Sequence, residues 1–179
     1  GGVTYLNNSL SVEGSVTLDN TLSVGQDVFM TSSLSVGGIT YLNNSLSVEG
    51  SVTLDNTLSV GQDVFMSSSL SVGGVTYLNN SLSVEGSVTF DNTLSVGQDV
   101  FMSSSLSVGG ITYLNNSLSV EGSVTLDNTL SVGQDVFMSS SLSVGGVTYL
   151  NNSLSVEGSA TLDNTLSVGQ DVFMTSSLS

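Results

Sequence analysis

The sequence predicts an all-β fold, an elongated repeat fibre of the β-solenoid or triple-β-helix type. Three observations support this prediction. Near-identical blocks of 36 residues, each made of three twelve-residue units, fill the chain. Apolar side chains alternate with small or polar ones through residues 10–18, which is the period of a β-strand. Glycine and β-branched residues recur too densely for helices, and Lys and Arg are absent.

The repeat extends over the whole sequence. Its copies differ only in mild replacements, such as Leu18 by Phe90 and Val16 by Ala160. A fixed short period is typical of a stacked array rather than a globular domain with one closed core. We therefore predict one continuous array over residues 1–179, without separate domains. The blocks start at Gly1, Gly37, Gly73, Gly109 and Gly145.

One face of the strand pattern is apolar, and we expect it to form the core. Gly14 falls on this face midway along the run, which is typical of a bulge, a bend or a close backbone approach. Corners are predicted at residues 7–9, 19–21 and 31–33, where Asn, Asp, Ser and Thr cluster. Thr4 is the only polar member of the inward set in the first block. The apolar members are Leu6, Leu10, Val12, Val16, Leu18, Leu22, Val24, Val28, Met30, Leu34 and Val36.

The acidic residues indicate how many residues make one rung. Glu13, Asp19 and Asp27 occupy three different positions of the twelve-residue unit. With twelve residues per rung, each acid meets its own copy about 14 Å away, beyond the Debye length of about 8 Å. With 36 residues per rung, Glu13 would stack on Glu49 at about 4.8 Å. We therefore predict one rung per twelve-residue unit along each chain.

Two features favour association of chains. Eleven apolar residues in each block of 36 give a thin core for a lone twelve-residue coil. The opposite face carries Val3, Tyr5 and Phe29, an apolar stripe too regular to be left in water. We predict a parallel homotrimer held by Val3, Tyr5, Phe29 and their repeats. A single-chain solenoid is the alternative.

The composition excludes several function classes. The chain has no His, Cys, Lys or Arg and a formal net charge of −15. It therefore lacks an imidazole base, a thiolate nucleophile and a Cys/His zinc site, and it cannot neutralise phosphates of nucleic acid or of a membrane surface. We predict that it is not an enzyme and has no catalytic, cofactor-binding or metal site. Calcium binding by corner Asp and Asn oxygens is the alternative for the acids.

Two further patterns each allow a functional and a structural interpretation. Residues 7–9 form a glycosylation sequon that also fits a corner turn. The hydroxyl pairs of residues 9–11 and 21–23 resemble the ice-binding arrays of twelve-residue coils in some insect antifreeze proteins, although this chain offers mostly Ser and no Cys. No apolar run approaches a membrane span, and the opening Gly1-Gly2 lacks a leader pattern, so we expect a soluble segment of a longer chain.

The run Leu-Ser-Val-x-Gly-x-Val-x-Leu at residues 10–18 resembles the β-structured shaft repeats of viral and phage tail fibres. The resemblance covers the whole chain. It implies a homotrimeric spacer that holds a receptor-binding tip away from a particle, at the virion surface or in another extracellular setting. The Ser-Val-Gly runs also resemble head repeats of trimeric autotransporter adhesins, which use longer units. A single-chain β-solenoid or a non-viral extracellular filament is the alternative.

Overall fold

In the computed structural model, residues 2–179 form a β-solenoid; Gly1, the first residue of the first block, lies outside the described residues. Residues 2–179 contain 29 strands of three residues each, and three residues separate each strand from the next. The part of the chain that the structure describes contains no helix. The prediction of an all-β, elongated repeat fold is confirmed.

In chain order, the strands are β1 (Thr4–Leu6), β2 (Leu10–Val12), β3 (Val16–Leu18), β4 (Leu22–Val24), β5 (Val28–Met30), β6 (Leu34–Val36), β7 (Thr40–Leu42), β8 (Leu46–Val48), β9 (Val52–Leu54), β10 (Leu58–Val60), β11 (Val64–Met66), β12 (Leu70–Val72), β13 (Thr76–Leu78), β14 (Leu82–Val84), β15 (Val88–Phe90), β16 (Leu94–Val96), β17 (Val100–Met102), β18 (Leu106–Val108), β19 (Thr112–Leu114), β20 (Leu118–Val120), β21 (Val124–Leu126), β22 (Leu130–Val132), β23 (Val136–Met138), β24 (Leu142–Val144), β25 (Thr148–Leu150), β26 (Leu154–Val156), β27 (Ala160–Leu162), β28 (Leu166–Val168) and β29 (Val172–Met174).

Each strand from β1 to β26 pairs in parallel with the third strand after it, so consecutive strands belong to three different sheets. The first sheet contains ten strands from β1 to β28, the second ten from β2 to β29, and the third nine from β3 to β27. The register pairs Thr4 with Leu22, eighteen residues later. One turn of the solenoid is therefore eighteen residues, with three strands and three corners, and each 36-residue block makes two turns.

The prediction of twelve residues per rung is wrong. Residues 10–18 are not one strand: β2 and β3 are separated by a corner at residues 13–15, where Gly14 provides the predicted bend. The spacing of the acidic residues correctly excluded 36 residues per rung, but it is compatible with both twelve and eighteen residues per rung. With eighteen residues per turn, Glu13 and Glu49 lie two turns apart, about 9.6 Å, which still exceeds the Debye length of about 8 Å.

Steric fit at the corners explains the eighteen-residue offset. This offset places glycine of one turn over a bulkier residue of the preceding turn, as with Gly61 over Asn43 and Gly74 over Asn56. A Cβ atom added at Gly61 would lie 2.1 Å from the carbonyl oxygen of Asn43, a distance that no side chain tolerates. The alternation of glycine with larger residues therefore allows successive corners to stack closely.

The core runs along the axis and is enclosed by one chain. The first and third residues of each strand point inward, and Leu58, Val60, Val64 and Phe90 are at most 1% exposed. The predicted inward set is confirmed, and its first-turn members, such as Leu6, pack against the core while staying partly exposed. On the inner turns, one chain alone buries its inward apolar side chains to 4% exposure or less, so burial of the core needs no partner chain. The thin-core argument for association therefore no longer applies.

Candidate functional site

The outer surface of the solenoid has three faces, formed by the middle residue of each strand. The first sheet presents Tyr and Ser alternately, and we call it the tyrosine face. The second sheet alternates Ser and Phe and is the phenylalanine face. The third sheet alternates Thr and Ser and is the hydroxyl face. All fifteen acids lie in the corners between strands, so the outward positions of all three faces are uncharged.

On the tyrosine face, each ring is separated from the next by a serine. Ser95 pairs with Tyr77 of the preceding turn and with Tyr113 of the following turn. Tyr77 is 51% exposed, whereas Ser95 is half-buried. Since neighbouring strands lie about 4.8 Å apart, the rings recur every 9.6 Å or so. The tyrosines are Tyr5, Tyr41, Tyr77, Tyr113 and Tyr149.

The phenylalanine face follows the same pattern but is displaced by one turn. Phe101 pairs with Ser83 and Ser119 on the turns before and after it, and it is 49% exposed. Tyr77 and Ser83 share one turn, and Ser95 and Phe101 share the next. A turn that carries an aromatic ring on one of these faces therefore carries serine on the other. The phenylalanines of this face are Phe29, Phe65, Phe101, Phe137 and Phe173.

The predicted single stripe of Val3, Tyr5 and Phe29 is wrong in one respect. All three side chains are about half or more exposed, as expected for an outer surface. However, Tyr5 belongs to the first sheet, with Val3 in the corner just before it, while Phe29 belongs to the second sheet. The stripe is therefore two separate columns on adjacent faces, because the chain turns a corner every six residues. The displacement of the two columns by one turn was missed for the same reason.

The hydroxyl pairs expected at residues 9–11 and 21–23 do not form a continuous array. Ser11 is followed along its column by Phe29, and Ser23 lies between Tyr5 and Tyr41. An aromatic ring therefore interrupts each column on every second turn. Among the outward strand positions of residues 2–179, only those of the third sheet form an unbroken hydroxyl column, in which Thr17 and Ser35 begin the alternation. This face was not predicted from the sequence, because its column becomes visible only when residues eighteen apart are stacked.

The acids occupy separate corners and alternate with uncharged residues. Asp27 Oδ1 accepts a hydrogen bond of 3.1 Å from the backbone N–H of Ser45 on the next turn. Glu13 is followed one turn later by Thr31, whose hydroxyl donates to the Glu13 carbonyl oxygen at 2.6 Å. Asp19 is followed by Gly37, whose N–H bonds to Leu18 O at 2.8 Å. Within residues 2–179, no three acidic side chains are grouped closely enough to hold a metal ion.

The corner between the first and second sheets is lined with amides. The Nδ2 atom of Asn80 donates to Gln62 Oε1 on the preceding turn at 3.1 Å, and the same bond recurs between Asn116 and Gln98 at 2.9 Å. Asn79, the sequon asparagine of this block, is exposed at the same corner. These amide ladders stabilise the corner and leave the sequon side chain accessible.

A notch opens where a serine follows a tyrosine. Tyr77 and Leu78 line it on one turn and Ser95 and Gly97 on the next, together with the flanking side chains of Asn79 and Asn115. Its volume is about 360 Å³. The notch is shallow and contains no charged group. Its aromatic rings, hydroxyls and amides are suited to non-covalent contacts rather than to catalysis.

No family model, curated protein or solved structure matches the chain. None of the described residues belongs to a helix long and apolar enough to cross a membrane. The geometry is that of an elongated tandem-repeat β-solenoid, a fold compatible with a structural repeat protein.

Proposed function

We propose that this chain is a structural shaft segment, a rigid spacer in a fibre of the viral or phage type at a virion surface or in another extracellular setting. The observation that carries the proposal is the uniform column: the same register and the same inward pattern recur on every turn. Such a column separates what is attached at its two ends by a distance set by the number of repeats.

Rigidity has a clear physical basis in the backbone bonding. Each turn bonds to the next through ladders on all three sheets, and corner bonds such as Gly61 N to Leu42 O at 2.8 Å continue between the strands. The apolar core is continuous through these turns. Bending the column would stretch ladder bonds on one side and compress core side chains on the other, so we expect a straight rod.

Self-association is part of the proposal. The tyrosine and phenylalanine columns expose rings at regular intervals, and contact between copies would remove them from water. Following the resemblance to fibre shafts, we propose a parallel homotrimer of about 55 kDa, three times the 18.3 kDa of one chain. The alternative, a single-chain solenoid or a non-viral extracellular filament, is favoured by the enclosure of the core within one chain.

Small-angle scattering tests the spacer role on variants of different length. Ten turns at about 4.8 Å give a rod of about 48 Å, and one added 36-residue block should lengthen it by about 9.6 Å at constant cross-section. Deletion of one block is the matched control and should shorten the rod equally. Variants that grow in width rather than in length would reject the spacer role. Light scattering on the same samples separates the trimer from the single chain.

A further inference from the structure

We propose that two copies of this chain pack side by side in parallel, with the tyrosine face of one copy against the phenylalanine face of the other and no axial shift between them. This inference rests on the proposed function as a shaft that associates laterally, and it specifies the faces and the register of that association. Its basis is the displacement of the two aromatic columns by one turn.

The displacement makes the two faces complementary at equal height. On one turn the tyrosine face presents Tyr77 and the phenylalanine face presents Ser83. On the next turn the tyrosine face presents Ser95 and the phenylalanine face presents Phe101. Two copies at the same height therefore bring each ring opposite a serine on every turn. No ring has to displace another ring.

The notch on the tyrosine face is large enough for the opposing ring. Ser95 forms part of its lining, and Phe101, on the same turn, is the ring that an unshifted partner brings to this height. A cavity of about 150 Å³ is enough to hold benzene, and the notch measures about 360 Å³. Gly97, one of the lining residues, contributes no side chain to the notch. The half-exposed Phe101 ring of an unshifted partner would therefore face a recess of sufficient volume.

A contact between two like faces, such as two tyrosine faces, is less favourable than the contact between unlike faces. If two tyrosine faces met at equal height in parallel, Tyr77 would oppose Tyr77, and one copy would have to slide by a whole turn to avoid this. A shifted contact would offset each copy along the axis, whereas an unshifted contact between unlike faces keeps the copies at one height.

Charge placement and area agree with this contact. No acid lies at an outward strand position on either face, so the packed faces bury no carboxylate. Three residues at about 3.3 Å and ten turns at about 4.8 Å give a flat face of about 480 Å². Two such faces bury about 960 Å², just under the lower bound of about 1,000 Å² for a biological interface, so we expect a weak contact between two chains of this length. Longer arrays gain area in proportion to their length.

Complementary variants of the full chain test the pairing. One variant replaces the five tyrosines with serine (Y5S, Y41S, Y77S, Y113S, Y149S), and a second replaces the five phenylalanines of the phenylalanine face (F29S, F65S, F101S, F137S, F173S). A matched control changes the five threonines of the hydroxyl face to serine (T17S, T53S, T89S, T125S, T161S). All fifteen positions face outward. Circular dichroism confirms folding, and analytical ultracentrifugation measures association.

We expect each of the two aromatic-face variants alone to associate at least tenfold more weakly than the parent, while the threonine control associates as the parent does. An equimolar mixture of the two variants should form a 1:1 complex of about 37 kDa, twice the 18.3 kDa chain, because one intact face of each kind remains. No such complex, or undiminished association of either aromatic-face variant alone, would overturn the pairing. A monomeric parent that scatters as a rod of about 48 Å would reject the pairing but keep the spacer role; a parent that is not rod-shaped would reject the spacer role itself.

Discussion

The backbone N–H of Ser81 donates a hydrogen bond of 3.0 Å to the Oδ1 atom of Asp63, eighteen residues earlier. The same bond links Asp99 to Ser117 and Asp135 to Ser153. Each aspartate of this column is therefore followed by a serine, and the next aspartate lies two turns away, about 9.6 Å. A chain of net charge −15 can stack its turns because like charges never occupy adjacent turns of one column.

The buried threonines should limit stability. Thr76 is fully buried between Leu58 and Leu94, and its hydroxyl has no hydrogen-bond partner. A buried unsatisfied hydroxyl costs about 1–3 kcal/mol. Thr76→Val, which keeps the shape, should therefore raise the free energy of unfolding by about 1 kcal/mol or more. Thr89→Val at an exposed position is the control and should change it by less than about 0.5 kcal/mol in denaturant titrations. Equal effects would contradict the inward assignment of Thr76.

Two glycines of one column should respond differently to alanine. A Cβ atom at Gly86 would lie 2.4 Å from the backbone carbon of Ser68, whereas at Gly14 it would meet nothing within 4 Å. Gly86→Ala should destabilise the fold by about 1–3 kcal/mol, because the backbone of two turns has to separate. Gly14→Ala should be silent or mildly stabilising. Thermal unfolding of both variants measures the difference, and a silent Gly86→Ala would contradict the close stacking of corners.

A charge placed inside the column should be far more damaging than one outside. Val88 is 1% exposed in the third sheet, and Ser71 lies on the outer face of the neighbouring strand. Val88→Asp buries a carboxylate without a partner and should cost several kcal/mol, whereas Ser71→Asp should cost less than about 0.5 kcal/mol. The comparison uses urea midpoints at one protein concentration. Similar losses from both variants would show that the two residues have been assigned to the wrong sides.

The hydroxyl face provides a test of the ice-binding alternative. Along its column, threonine recurs only on alternate turns, with Ser71 between Thr53 and Thr89. We expect no thermal hysteresis in a nanolitre osmometer, because a spacer needs no match to a crystal lattice. Faceted ice growth with the parent chain, abolished by Thr89→Asp, would instead assign ice binding to this face.

Much of the fold followed from local patterns, but the turn length did not. Local sequence determines the strand positions, the inward set and three of the six corners per block. The alternation around Leu10 and Val16 was therefore enough to predict them. The inward positions recur every six residues, because one strand and one corner together have six residues. Each twelve-residue unit therefore contains two strands and two corners, and the run around Gly14 was taken for a single strand. Turn length depends on which distant residues stack, and charge spacing alone could not fix that. The two aromatic faces could be recognised only once the register was known, because only the register places Ser95 between two tyrosines. Nothing in the sequence around Ser95 indicates this position.

The most direct test of the eighteen-residue turn is disulfide formation between introduced cysteines, since the chain has none of its own. Ser71 and Thr89 are partners in adjacent strands, about 4.8 Å apart, within the Cα separation that a disulfide spans. Ser71 and Ser83, twelve residues apart, lie in different sheets. We predict that S71C/T89C oxidises to an intramolecular disulfide at monomer mass and that S71C/S83C stays reduced. Ready closure of S71C/S83C with none in S71C/T89C would contradict the account.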